Sequence, residues 1–224
     1  MDAPATLAGH PFFDLQLDEK QAEFRDAIWS KDKQIVFANA KAGTGKTVIA
    51  VGTAWLLVQY GLYDGIVYIV SPTQEQKQGY LKGTIEEKSE PYLVPLYQAL
   101  TKLGINPNTA LSNDIMNQKM GTACIDAMTH TFLRGTNFEN KVVILEESQN
   151  FYCDELKKTL TRIHDTSKTI VIGHSKQVDL YNNPENSGFV RYIEHFKDDP
   201  RTAVCELDKN YRGWVSSHAD ELEF

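Results

Sequence analysis

Between a short β-branched run, Ile35–Phe37, and a helical pattern over Lys46–Gln59 stands the octapeptide Ala40-Lys41-Ala42-Gly43-Thr44-Gly45-Lys46-Thr47. A glycine-rich loop that leaves a strand and enters a helix constrains the chain more than any other stretch. Its glycines let the backbone wrap so that successive N–H groups and the helix N-terminus point at one anion, where negative charge is favoured. Lys46 adds a mobile point charge across phosphates. The Thr47 hydroxyl, one residue on, is placed to ligate Mg²⁺. The expected phosphate-binding set is therefore Ala42, Gly43, Thr44, Gly45, Lys46 and Thr47, with Ala40 in a first position where such loops carry Gly.

Further β-branched runs lie at Ile66–Val70, Val142–Leu145 and Thr169–Ile172, with weaker ones at Ala123–Ala127 and Val204–Leu207. Nearly continuous apolar runs suit strands covered on both faces. Helical patterns fall between them: Glu19–Ser30, Lys46–Gln59, Pro91–Lys102, Asp154–Arg162 and Ser187–Phe196. The alternation predicts a three-layer α/β fold, a mostly parallel sheet with helices on both faces. Gly104–Asn113 and Tyr181–Gly188 read as loops. At 224 residues and 42% hydrophobic content, one domain over residues 1–224, with its core at about 18–215, is expected.

Composition narrows the function. No apolar run approaches the roughly 20 residues that span a bilayer, and no leader pattern opens the chain, so a cytoplasmic protein without membrane contact is expected. Cys124, Cys153 and Cys205 lack CxxC spacing, and the six histidines lack paired-ligand spacing, which argues against a disulfide framework or a transition-metal enzyme. A formal charge of −7 speaks against a dedicated basic nucleic-acid binder and leaves room for a local groove.

A second motif completes the chemistry. Lys141-Val142-Val143-Ile144-Leu145-Glu146-Glu147-Ser148-Gln149 is an apolar strand that ends in two carboxylates, where open α/β sheets gather ligands. Glu146 is expected to hold Mg²⁺ and Glu147 to orient or deprotonate the water that attacks the γ-phosphate. Many ATPases of this kind carry Asp-Glu here, so Glu146 reaches one methylene further. After the next strand, Gln177 is a candidate γ-phosphate sensor, and His174 reads as a loop histidine without a role. Arg212 offers a guanidinium for the transferring phosphoryl group, although the residues alone do not set it above Arg134, Arg162 or Arg191.

These motifs together resemble the PhoH-like ATPases, whose core looks like half of a superfamily 1 helicase. The resemblance runs from Gln21 onward. Besides the phosphate loop it is carried by Gly83–Lys88 leading into Pro91–Tyr97, Thr131-Phe132-Leu133-Arg134-Gly135, Glu146-Glu147-Ser148-Gln149-Asn150, Leu160-Thr161-Arg162, Gln177-Val178-Asp179-Leu180 and Ser187-Gly188. It implies a RecA-like P-loop NTPase fold, ATP and Mg²⁺ as ligands, Gln21 reading the adenine edge, Gln177 sensing the γ-phosphate and Arg212 as arginine finger. It further implies a homo-oligomer, for example a hexameric ring, and RNA or single-stranded nucleic acid as a partner. His174 stands where the family has Asp, and Ser71 where it usually has Arg. With Gln21 near the start and Arg212 near the end, a minimal member without KH-like or PIN domain is expected.

The leading expectation is thus an Mg²⁺-dependent ATPase, with remodelling of RNA or single strands as an extension. A nucleotide-dependent assembly switch with feeble hydrolysis competes with it, motivated by Glu146, Ser71 and His174. A small-molecule kinase fits less well, because paired acids and a distant Gln-containing loop suit water as the acceptor.

Overall fold

The computed structural model describes residues 2–71, 90–112, 121–133, 135–180 and 186–220. In chain order its elements are α1 (Glu19–Trp29), β1 (Ile35–Ala40), α2 (Lys46–Gln59), β2 (Ile66–Val70), α3 (Val94–Lys102), α4 (Pro107–Ala110), β3 (Ile125–Thr129), β4 (Val142–Glu146), α5 (Cys153–Leu160), β5 (Lys168–Gly173), α6 (Gly188–Phe196), β6 (Thr202–Leu207) and α7 (Trp214–Asp220). The strands form one sheet of six in the order β3-β2-β4-β5-β1-β6, and every pairing between them is parallel.

Every residue of β2, β4 and β5 is buried, as expected for strands covered on both faces. Alternate side chains divide between two cores. Val36, Ala38, Tyr68, Ile144, Ile170 and Ile172 pack with Phe24 and Ile28 of α1, Ile49 and Leu57 of α2 and Leu96 of α3. On the opposite face Phe37, Ile69, Val143, Leu145 and Val171 meet Leu156 of α5 and Phe189 of α6. Three layers result, with α1, α2 and α3 on one side of the sheet and α5 and α6 on the other.

The elements differ from expectation in several places, among them β6, which begins two residues before its apolar run, and α5, which ends two residues before Arg162. Residues 107–110 within the expected loop at 104–113 form a helical turn, because Asn106 caps it and Pro107 starts it. The helix expected from Pro91 opens as a 3-10 turn, Glu90–Leu93, and becomes α-helical only at Val94. The third strand lies two residues later than its apolar run suggested. Finally, α7 was not anticipated, since Trp214 and Val215 are exposed and leave no buried stripe to read. Among the described residues no helix is long and apolar enough to cross a membrane.

The order of strands positions the site. β5 lies between β1 and β4, so the segment after Gly173 emerges between the phosphate loop and the two carboxylates. Three loops therefore meet at the carboxyl ends of neighbouring strands, where such sheets bind ligands.

Candidate nucleotide site

Gly45 is the N-cap of α2 and holds φ 80°, ψ 10°, a left-handed conformation that glycine adopts without a Cβ penalty. No side chain caps this helix. Its first N–H groups are thus left to a ligand, where the helix dipole favours an anion. The Thr44 hydroxyl closes the loop on the Lys41 carbonyl at 3.0 Å. The Lys46 ammonium folds back toward the Ala40 carbonyl at 3.5 Å, a bond weak enough to exchange for phosphate oxygens.

Thr47 and Glu146 meet across the sheet: the threonine hydroxyl donates to Glu146 Oε1 at 3.0 Å. Glu146 is 1% exposed and its Oε2 is buried without a hydrogen-bond partner. Burial, and then the neighbouring Glu147, push its pKa up to about 7, against the pull of Lys46, Thr47 and Tyr68. The Tyr68 hydroxyl, also buried, approaches this carboxylate closely enough for each to affect the other's protonation, short of hydrogen-bonding geometry. An orphaned carboxylate oxygen beside a threonine hydroxyl offers hard oxygen donors of the kind that fit Mg²⁺. Among the described residues no group of three or more carboxylates, cysteines and histidines is gathered to hold a metal by itself.

Glu147 takes φ 52°, ψ 42°, unusual for a residue other than glycine, and opens the 3-10 turn Ser148–Asn150. Its Oε2 accepts from Gln149 Nε2 at 2.5 Å. Gln177 is exposed in the segment that leaves β5, where its N–H donates to the His174 carbonyl at 3.1 Å. The Ser175 N–H donates to Asn39 Oδ1 at 3.0 Å, which ties this segment to the end of β1.

Gln21 is buried, and both ends of its amide are engaged. Oε1 accepts from the Asp18 N–H at 3.1 Å, and Nε2 donates to the Thr44 carbonyl at 2.8 Å. In this state it braces the phosphate loop, and an adenine edge would have to displace one of those bonds. Arg212 is exposed beside Gly43, whose added Cβ would stand 3.0 Å from Arg212 Cγ. Of its rivals, Arg162 donates to the Thr136 carbonyl at 3.2 Å, Arg191 lies on α6, and Arg134, like the stretch 83–88, falls outside the described residues. Of the two departures, Ser71 donates its hydroxyl to the Asn150 carbonyl at 3.0 Å, while at position 174 it is the backbone N–H that donates to Gln149 Oε1 at 3.0 Å.

The sequence reading gave no role to Tyr211, Gln149, Asn150, Asn39 or Tyr68. Tyr211 is tethered to both walls of the loop. Its N–H donates to the Gly43 carbonyl at 2.9 Å and its hydroxyl to Asp18, and the residue is exposed, with the Lys209 ammonium over its ring. An aromatic residue next to Arg212 was the available signal.

A model of the family described as PhoH-like protein matches residues 16–213. The chain belongs to the PhoH-like protein family. Its relatives include Protein PhoH2 of Bacillus subtilis (strain 168), 30% identical over 200 residues that cover 88% of this chain and 45% of the relative. The PhoH-like protein of Mycobacterium leprae (strain TN) is 31% identical over 204 residues, 89% of this chain and 56% of the relative. Protein PhoH of Escherichia coli (strain K12) is 32% identical over 199 residues, 87% and 53%. The chain thus spans about half the length of these relatives. Among solved structures, the Pyrococcus furiosus Hef helicase domain superposes with a TM-score of 0.47 at 14% identity, over 84% of this chain and 38% of that one. The PhoH-like chain has the three-layer α/β fold of P-loop NTPases.

Proposed function

We infer that this PhoH-like chain binds ATP with Mg²⁺ and hydrolyses the β-γ phosphoanhydride. The observation that carries this reading is the uncapped, left-handed entry to α2 facing Glu146 and Glu147 across the Thr47–Glu146 hydrogen bond. The phosphates take the open N–H groups of the loop, and Lys46 leaves the Ala40 carbonyl to span them. Thr47 and Glu146 are the residues that would hold Mg²⁺, which would supply charge neutralisation at the phosphates. Glu147 lies one residue beyond Glu146 and takes the proton of the attacking water. Gln177 reads the γ-phosphate from the segment after β5. Arg212 approaches from the side of Gly43, so its own phosphate loop is the nearest one it can serve.

The base side of the site is formed by Tyr211, whose ring offers a stacking face for adenine, with Gln21 beneath holding the loop. The family resemblance adds RNA or single-stranded nucleic acid as a partner and a homo-oligomer such as a ring. The first is tested by stimulation of hydrolysis, the second by sedimentation with and without nucleotide.

The deciding experiment measures ATP binding and turnover for wild type, Lys46→Ala and Glu147→Gln, with and without single-stranded RNA. Wild type turns over, Lys46→Ala loses binding, and Glu147→Gln binds ATP with a rate lower by about 100-fold or more. If wild type binds ATP and never cleaves it, the assembly-switch reading takes its place.

A further inference from the structure

The turn that follows β4 sends two consecutive side chains toward one stretch of backbone. Gln149, 2% exposed, accepts from the His174 N–H at 3.0 Å and donates to Glu147 Oε2 at 2.5 Å. Its amide has only one workable orientation, because a flip would set oxygen against carboxylate and NH₂ against N–H. Asn150 repeats the arrangement at the far end. Its Oδ1 accepts from the Asp179 N–H at 2.9 Å, and its Nδ2 donates to Asp179 Oδ2 at 3.4 Å. The stretch from His174 to Asp179, which carries Gln177, is therefore pinned at both ends to the turn that Glu147 begins. Glu147 itself holds a left-handed conformation that persists only where the surroundings over-determine it.

We propose that Gln149 is a positioning residue that locks the Glu147 carboxylate to the Gln177-bearing segment, so that the base is aimed only when that segment is in place. The proposal rests on the hydrolytic reading above. A shift of the segment toward a γ-phosphate moves the His174 N–H, and with it the amide that grips the base. Buried polar links of this kind have two settings, made or broken, which makes them suited to carry a local displacement. The stretch from Gly173 to Asp179 is thereby a mechanical input to the base as well as a carrier of the sensor.

Two variants separate the arms of the link. Gln149→Leu removes both bonds at similar volume, and Gln149→Glu keeps the acceptor for His174 while turning the donor toward Glu147 into a repelling carboxylate. Both are expected to lower kcat on the order of tenfold to a hundredfold with KM for ATP changed less than about threefold. In a Glu147→Gln background the same changes should leave single-turnover rates within about twofold, since the base they aim is gone. Independently of turnover, amide hydrogen exchange at His174 should rise about tenfold or more in Gln149→Leu and stay near wild type in Gln149→Glu. Unchanged exchange in Gln149→Leu, a parallel rise of KM, or equal losses with and without Glu147 would each overturn the proposal. A wild-type protein that binds ATP without turnover sinks the hydrolytic reading alone, and the exchange measurements then decide whether the link exists.

Discussion

Glu146 and Tyr68 form an unusual pair of neighbours beneath the phosphate loop. The glutamate is one methylene longer than an aspartate, so its carboxylate reaches Thr47 with one oxygen and leaves the other buried without a partner. Directly behind it the Tyr68 hydroxyl is also buried and unpaired. A buried hydroxyl without a hydrogen bond costs about 1–3 kcal/mol, so Tyr68→Phe should stabilise the nucleotide-free protein by about 1 kcal/mol. Urea denaturation measures this; a loss of stability instead would show that the phenol bonds to the carboxylate.

At the scale of elements, the N-terminus of α1 connects parts that lie far apart in the chain. Asp18 Oδ1 accepts from the Gln21 N–H at 2.8 Å while Gln21 returns a bond to the Asp18 N–H, a complete capping box. The same aspartate receives the Tyr211 hydroxyl, and the same glutamine holds the Thr44 carbonyl. Asp18→Ala should therefore cost about 1 kcal/mol as a lost cap and also weaken ATP binding, whereas Asp18→Asn should keep most of the stability. Unfolding curves and nucleotide titrations on the same samples test this, and an alanine variant as stable as wild type would refute it. Elements of this kind were legible where apolar runs met loop chemistry: α2 and β2 have the boundaries their patterns give. The phosphate loop and the acidic pair were legible because their residue types have few other uses at that spacing. Gln149 and Tyr211 were not, because a glutamine or tyrosine shows its partner only once β5 and β6 have been threaded beside β1. The family-marked Arg162 is held by residues that no motif singles out: it donates to the Thr136 carbonyl and accepts at its own carbonyl from the Phe138 N–H.

For the whole molecule, Lys168 makes stability depend on pH. It is 2% exposed at the start of β5 and donates to the carbonyls of Ser30 and Lys33. Burial holds its pKa down at about 8, partly offset by Asp32, against 10.5 for an ordinary lysine. Above pH 8 the folded chain releases this proton while the unfolded chain keeps it, so stability rises through the window from 8 to 10.5. Cys124 and Cys205 act oppositely as the pH nears and passes 9, since burial raises both thiols to about 11. Between pH 8 and 9 Lys168 should thus add about 1 kcal/mol of urea stability, of which the two thiols cancel about half or more, and Lys168→Met should turn the small net rise into a fall; a wild-type profile that falls as steeply as the variant's would count against it. The parallel sheet has a consequence for synthesis as well. β1, which delivers the glycine-rich loop, is made well before either strand that flanks it, β5 and β6. A nascent chain therefore carries its glycine-rich loop on an unpaired, apolar strand until β5 has emerged, and both flanks of that strand are filled only after Leu207 has followed.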